Sequence, residues 1–138
     1  MSDSFCVDRH RESFLELIDE YVDIVFCNES EVLSLFEKDK LANCREDISS
    51  LCELTVVTMG SNGSLIINKN DVEVIKAITK GKVIDTTGAG DLYAGGFIHG
   101  LINNYSLKKC GEIGSICAGQ IITQLGSRSN IDLQELIK

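Results

Sequence analysis

A glycine-rich segment at residues 85–91 (DTTGAGD) has the residue types and spacing best suited to chemistry. It follows the apolar run at residues 82–84, which predicts the end of a strand, and it precedes a predicted apolar helix at residues 92–103. The first amides of a helix have no partner within the helix and lie at the positive end of its dipole. Because residues 88–90 are two glycines and an alanine, an anion could approach those amides closely.

Asp91 is predicted to lie in the first turn of that helix, beside the place where the anion would bind. A carboxylate there would repel a phosphate, so it does not serve anion binding. It suits a base that takes a proton from a hydroxyl group attacking the phosphate. The alternative is purely structural: a Gly-rich turn between a strand and a helix, with Asp91 as a favourable charge at the helix dipole.

The composition is that of an ordinary globular domain. The chain has 138 residues, 43% hydrophobic and 25% charged, with no linker or internal repeat, so one domain is expected over residues 1–138. A net charge of -8 argues against a nucleic-acid-binding surface, which needs clustered Lys and Arg. No apolar run reaches membrane-spanning length and the N-terminus has no signal-peptide pattern, so no membrane contact is expected.

The cysteines do not have metal-ligand spacing. None of the six forms a CxxC pair and only two histidines are present, which argues against a zinc site. They are better interpreted as small buried hydrophobic residues in a reducing cytoplasm, which predicts a cytoplasmic location.

The chemistry-bearing segments require an α/β framework to position them. Hydrophobic periodicity predicts helices at residues 9–21, 28–37, 45–53, 92–103 and 106–125, buried strands at 22–27 and 54–59, and a hairpin at 64–75. This order predicts a three-layer α/β unit, with helices on both faces of a mainly parallel sheet. Ligands of such sheets bind at the carboxyl ends of the strands, where Asn28, Thr58 and Asp85 are predicted to lie.

The DTTGAGD string, with the small-residue helix after it, closely resembles the signature of the PfkB (ribokinase-like) family of carbohydrate and nucleoside kinases. SDSFCVDRHR near the N-terminus and DLYAGGF after the motif look most like bacterial adenosine-kinase-type members. The resemblance implies a ribokinase-like fold and phosphoryl transfer from ATP, with Mg²⁺, to a hydroxyl of a sugar or nucleoside. It also implies that Asp91 is the catalytic base and that Gly88, Ala89 and Gly90 form the anion hole.

The segment TMGSNG resembles the nucleotide-binding turn of the same family, Thr-x-Gly-x-x-Gly. Thr58, Gly60 and Gly63 match its defined positions, and Ser61 and Asn62 occupy its variable ones. The resemblance implies that this turn runs beside the phosphates and ribose of ATP. On its residues alone it is equally a tight turn that needs positive φ.

Asn28 and Glu31 match an Asn-x-x-Glu element that the family ties to the hydrated magnesium and phosphates of ATP. The residues alone favour a structural role, because Asn28 or Ser30 can cap the helix and Glu29 and Glu31 are favourable charges at its start. Both roles remain open.

The helix at residues 106–125 is expected, by the resemblance, to lie near the adenine ring. Ser115 stands where many relatives have an adenine-contacting Asn. QLGS at residues 124–127 resembles a closing loop that, with Asp85 and Thr87, often holds a monovalent cation such as K⁺. Asp85 could equally be a strand-end residue that bonds to turn amides.

The chain is less than half the length of a usual family member. We therefore expect the ATP-binding and catalytic part alone, without the N-terminal substrate and lid part. Two classes of function follow: a kinase with Asp91 as base, or a truncated nucleotide-binding fragment without turnover or a subunit that needs an N-terminal partner. The lost sheet neighbour would leave an unpaired edge, which favours a homo-oligomer or a separate N-terminal chain.

Overall fold

The computed structural model describes residues 3–69 and 71–136, without the side chains of Gln134 and Leu136. The chain forms two compact units. The first unit consists of Met1–Met59 and Leu65–Glu73, and the second unit of Gly60–Ser64 and Val74–Lys138. The single ATP-binding domain over residues 1–138 stays a prediction.

Helices and strands alternate through the first half of the chain, and helices dominate the second. The helices are α1 (Ser4–Arg9), α2 (Arg11–Tyr21), α3 (Glu29–Phe36), α4 (Arg45–Leu51), α5 (Ala89–Ile102), α6 (Leu107–Ile121) and α7 (Leu133–Leu136). The strands are β1 (Ile24–Asn28), β2 (Leu54–Thr58), β3 (Ser64–Asn68) and β4 (Asp71–Ile75), with short 3₁₀ helices at Leu41–Cys44 and Gly60–Asn62.

The strands form one sheet in the order β1-β2-β3-β4. β1 and β2 are parallel, with Asn28 opposite Thr58 at their carboxyl ends. β3 ends at Asn68 and β4 begins at Asp71, which leaves no room for the crossover that a parallel pair needs. The predicted α/β fold is confirmed, and its sheet is mixed.

The core of the first unit forms where α1, α3 and α4 meet β1 and β2. Val7, Val32, Leu35 and Ile48 are almost completely buried in one cluster with Cys27 and other apolar side chains. Burial raises the pKa of the Cys27 thiol to about 12, and the Glu31 carboxylate adds to the increase. The buried thiols are therefore neutral, as small hydrophobic residues would be.

The strand predicted at residues 82–84 is wrong. Val83 and Ile84 are 49% and 58% exposed, and the amides of Ile84 and Asp85 donate to the carbonyl of Ile122, at 2.8 and 3.3 Å. β-branched residues form a strand only where a neighbouring strand pairs with them, and no strand in the described part of the chain pairs with this segment. The predicted helix at residues 106–125 ends earlier, at Ile121.

The second unit is centred on the close packing of α5 against α6. A Cβ atom added to Gly96 would lie 2.9 Å from the sulfur of Cys117, and one added to Gly100 would lie 2.8 Å from the sulfur of Cys110. Each glycine therefore makes room for a buried cysteine on the opposite helix.

Among the described residues, none of the helices combines the length and the apolar character that a membrane span requires.

We expect Gly100→Ala to lower the free energy of unfolding by about 1–3 kcal/mol, because the new methyl group overpacks the interface with Cys110. Gly95→Ala is the matched control, since a Cβ atom there meets nothing within 4 Å. Gly95→Ala should stabilise α5 by up to about 1 kcal/mol through helix propensity. Urea unfolding measures both, and equal effects at the two sites would contradict the packing argument.

Candidate active site

The glycine-rich segment makes a tight turn into α5. Gly88 caps the helix with φ 79°, in the left-handed region where residues with a Cβ atom are strained. A Cβ atom on Gly88 would also lie 2.6 Å from the Cβ atom of Ser127. Gly88 is thus required twice, by its own backbone angle and by the residue 124–127 loop that packs on it.

The first amides of α5 include free donors. The amide of Ala89 donates to the carbonyl of Thr86 at 3.1 Å, so it is already used. The amides of Gly90 and Asp91 make no hydrogen bond to any residue in the described part of the chain. A Cβ atom on Gly90 would meet nothing within 4 Å. The amides of Gly90 and Asp91 are therefore open donors at the start of α5, and the place where a Gly90 side chain would begin is unoccupied.

Asp91 is exposed in the first turn of α5. Its carboxylate is directly next in sequence to the open amide of Gly90. An exposed carboxylate at this position can accept a proton from a hydroxyl group brought up to an anion on those amides.

Asp85 ties the glycine-rich segment to the residue 124–127 loop. Its Oδ1 accepts from the Thr87 amide at 2.9 Å and the Thr87 hydroxyl at 2.7 Å, and its Oδ2 accepts from the Gly126 amide at 3.0 Å. The Thr87 hydroxyl, followed by the Gly126 and Thr87 amides, lowers the pKa of the Asp85 carboxyl. Asp85 therefore does bond to turn amides, which is the structural role that its sequence position allows.

The TMGSNG turn is held tightly at its second glycine. Gly60 and Gly63 both have positive φ, and the Gly63 amide donates to the Gly60 carbonyl at 3.1 Å. A Cβ atom on Gly63 would lie only 1.9 Å from the carbonyl oxygen of Ile75. Ser61 and Asn62 are exposed at the tip, with their side chains available to a ligand.

In the first unit, Asn28 and Glu31 form a capping box at the start of α3. The Asn28 Oδ1 accepts from the Glu31 amide at 2.9 Å, and the Asn28 amide donates to Glu31 Oε2 at 2.9 Å. Glu31 is 2% exposed, whereas Asn28 is exposed. The capping role that the residues favoured is therefore present. Thr58, opposite Asn28 in the sheet, donates its hydroxyl to the carbonyl of Cys27 at 3.3 Å.

Ser115 is buried and fully hydrogen-bonded. Its hydroxyl donates to the carbonyl of Lys76 and accepts from the amide of Ile78, both at 3.0 Å. One helical turn later, a Cβ atom on Gly119 would lie 1.8 Å from the Ile78 carbonyl oxygen. Ser115 and Gly119 together seat residues 76–78 directly on α6. The i, i+4 spacing places the two residues on one face of α6, but no local pattern identifies residues 76–78 as the segment that packs there.

A buried pair of hydroxyl groups, Ser64 and Tyr93, was also missed. Their oxygens are 2.6 Å apart. Ser64 directly follows the TMGSNG turn, and Tyr93 lies on α5 just after Asp91. Alternating burial in a strand gives no sign that a serine has a partner far away in sequence, so only the folded chain reveals this contact.

We expect Asp85→Asn to reduce stability in a pH-dependent way. Because the folded state lowers the pKa of Asp85, its contribution is present above the unfolded pKa of about 4 and is lost as the pH falls through the folded pKa. The stability difference between wild type and Asp85→Asn in urea should thus be present at about pH 7 and shrink below about pH 4. Asp8→Asn, at an exposed position on α1, is the control. A difference that stays constant with pH would exclude the charge of Asp85 as the cause.

Three comparisons relate this geometry to known proteins. The family model described as "pfkB family carbohydrate kinase" matches residues 2–134. Crystal structures of a probable sugar kinase from Rhizobium etli and of adenosine kinase from Sinorhizobium meliloti superpose with TM-scores of 0.94 and 0.95, at 44% and 40% sequence identity. They cover 97% and 98% of this chain, which in turn covers 41% and 42% of theirs.

A nucleoside kinase from Methanocaldococcus jannaschii is 37% identical over 123 residues, which are 88% of this chain and 39% of that protein. The chain thus spans about 40% of the length of these relatives. The family match extends over nearly the whole sequence and includes both glycine-rich segments. The chain belongs to the pfkB family of carbohydrate kinases.

Proposed function

We propose that this chain is the ATP-binding and catalytic part of a kinase that transfers a phosphoryl group from ATP to a hydroxyl of a sugar or nucleoside. The observation that carries the proposal is the pair of open amides at Gly90 and Asp91 beside the exposed Asp91 carboxylate. The names of the relatives, an adenosine kinase, a nucleoside kinase and a probable sugar kinase, support this class of acceptor.

The donors at the start of α5 fit a phosphate. They are uncharged N–H groups in the first turn of a helix of Ala89–Ile102, with no side chain covering Gly90. Amides fixed in this way stabilise the negative charge on the transferring phosphoryl group without reorganising. Mg²⁺ bound with ATP would neutralise part of the charge on its phosphates.

Asp91 takes the proton in this scheme. The acceptor hydroxyl loses its proton to the Asp91 carboxylate as its oxygen forms a bond to the γ-phosphorus. The bond between that phosphorus and the oxygen bridging to the β-phosphate breaks, and ADP leaves. Catalysis here consists of positioning and charge stabilisation, to which the open N-terminal helix turn and the adjacent carboxylate both contribute.

The remaining binding residues come from three further segments of the chain. The turn formed by Thr58, Gly60, Ser61, Asn62 and Gly63 would run beside the phosphates and ribose of ATP. Ser115 lies on α6, near which adenine would lie, and its hydroxyl fixes residues 76–78 on that helix. Asn28 and Glu31 would serve the hydrated Mg²⁺ and the phosphates. Because Glu31 is buried in its capping box, its part would be to hold Asn28 in place.

A monovalent cation such as K⁺ beside Asp85 and Thr87 is part of the same proposal. Both carboxylate oxygens of Asp85 already accept hydrogen bonds. The cation would therefore rely chiefly on main-chain oxygens of the two loops that Asp85 joins, with the Asp85 charge supplying attraction.

The second candidate is a nucleotide-binding fragment without its own turnover, or a subunit that needs an N-terminal partner or a second copy of itself. The observation that favours it is the exposed apolar segment at Val83 and Ile84. In both cases the chain would act on small molecules, in the cytoplasm, and would bind ATP.

Gly90→Ala should weaken the binding of Mg·ATP by about tenfold or more, because its methyl group enters the open space in front of the free amides. The control is Gly95→Ala, on the exposed part of the same helix, which should bind as wild type does. Isothermal titration calorimetry measures both. Wild-type affinity in Gly90→Ala, or no ATP binding by wild type, would overturn the proposed nucleotide site.

Asp91→Asn should lower phosphoryl transfer by about 10²–10⁴-fold, because the base is lost while the amide donors remain. Affinity for Mg·ATP should be at least that of wild type, since the substitution removes a negative charge that repels phosphate. Transfer is measured on adenosine and a panel of small sugars, with Glu135→Gln as the control for loss of an exposed carboxylate. A wild-type chain that binds Mg·ATP but transfers nothing would favour the second candidate.

A further inference from the structure

The Ser64–Tyr93 hydrogen bond joins the two segments that carry the proposed phosphate site. Ser64 begins β3 immediately after the turn at residues 60–63. Tyr93 is in the first turns of α5, which begins at Ala89 and contains Asp91. The two oxygens, 2.6 Å apart, thus connect a nucleotide-binding turn to the helix that holds the open amides.

The bond is shielded from water. Ser64 is 0% exposed and Tyr93 is 4% exposed. Burial raises the pKa of the Tyr93 phenol, so this group keeps its proton at neutral pH. Removing one partner of a buried hydroxyl pair costs more free energy than removing one partner of an exposed pair. The reason is that no water can replace the lost bond to the remaining group.

The Tyr93 ring has a separate packing role from its hydroxyl. It stacks against Phe97 with ring centroids 6.4 Å apart, and a Cβ atom on Gly114 would lie 3.0 Å from its Cε1 atom. These contacts fix the ring between α5 and α6 whether or not the hydroxyl is present. Removing only the hydroxyl therefore tests the hydrogen bond and leaves the packing intact.

We propose that Ser64 and Tyr93 are positioning residues that fix the turn at residues 60–63 relative to the first turn of α5. The bond fixes the distance between the turn and the start of α5. A nucleotide that contacts both segments therefore meets donors that are already in place. Neither residue touches the reacting atoms. The functional part of this inference rests on the proposed function, whereas the coupling between the two segments does not.

The first experiment measures the coupling without ligand, by NMR-detected amide hydrogen exchange. In Tyr93→Phe, the amides of Gly63 and Leu92, which donate to the carbonyls of Gly60 and Gly88, should exchange about three- to tenfold faster. The amide of Cys110 in α6 should not change, which separates local loosening from global unfolding. Tyr105→Phe, at an exposed tyrosine of the same unit, is the matched control.

Ser64→Ala and the double variant make the test decisive. If the effect passes through the bond, Ser64→Ala and Tyr93→Phe each speed exchange at Gly63 and Leu92, and the double variant adds little to either. Additive effects, or a Tyr93→Phe variant indistinguishable from Tyr105→Phe, would overturn the inference.

The second experiment measures Mg·ATP affinity of the same variants by calorimetry. Loss of the bond should weaken Mg·ATP binding about three- to tenfold, while Tyr105→Phe binds as wild type does. If exchange at Gly63 and Leu92 is faster in the variants but wild type does not bind Mg·ATP, the proposed function is wrong. The coupling between the turn at residues 60–63 and α5 is then still supported. If wild type binds and the variants bind equally well despite faster exchange, the positioning role is overturned.

Discussion

The arrangement of the second unit depends on Gly88 having no side chain. Its left-handed backbone turns the chain into α5, and the absence of a Cβ atom lets Ser127 lie against it. With the loop seated there, Asp85 can accept from Thr87 on one side and from Gly126 on the other. This arrangement fixes the direction of α5 and leaves its first amides open. The same packing thus positions both the proposed anion hole and Asp91.

The two units use polar groups at their strand and helix ends in different ways. At the carboxyl end of β1, Asn28 and Glu31 satisfy each other in a capping box, so the buried Glu31 carboxylate has an amide partner. At the start of α5, by contrast, the helix has no side-chain cap and its donors at Gly90 and Asp91 stay open. An uncapped helix start gives up stability at a place where a ligand can supply the missing partner.

Buried hydroxyl groups hold the segments around the proposed site. Ser115 binds the backbone of Lys76 and Ile78 to α6, and Tyr93 binds Ser64 to α5. Each of these contacts is a hydrogen bond of a buried hydroxyl group with a residue far away in sequence. They hold irregular segments in one position, although those segments make few hydrogen bonds within a sheet.

The sequence by itself determined the α/β class, the family and the location of both glycine-rich segments, because hydrophobic period and the glycine pattern are local properties. It also predicted that Asn28 or Ser30 caps α3, as one of two roles, whereas the reciprocal bond from the Asn28 amide to Glu31 is seen only in the structure. Only the tertiary structure decided that residues 82–84 are not a strand, because Val83 and Ile84 form a ladder only if another strand lies beside them. It alone decided that Ser115 holds a backbone segment and that Tyr93 meets Ser64. These contacts depend on how distant parts of the chain pack, and no local pattern records that packing.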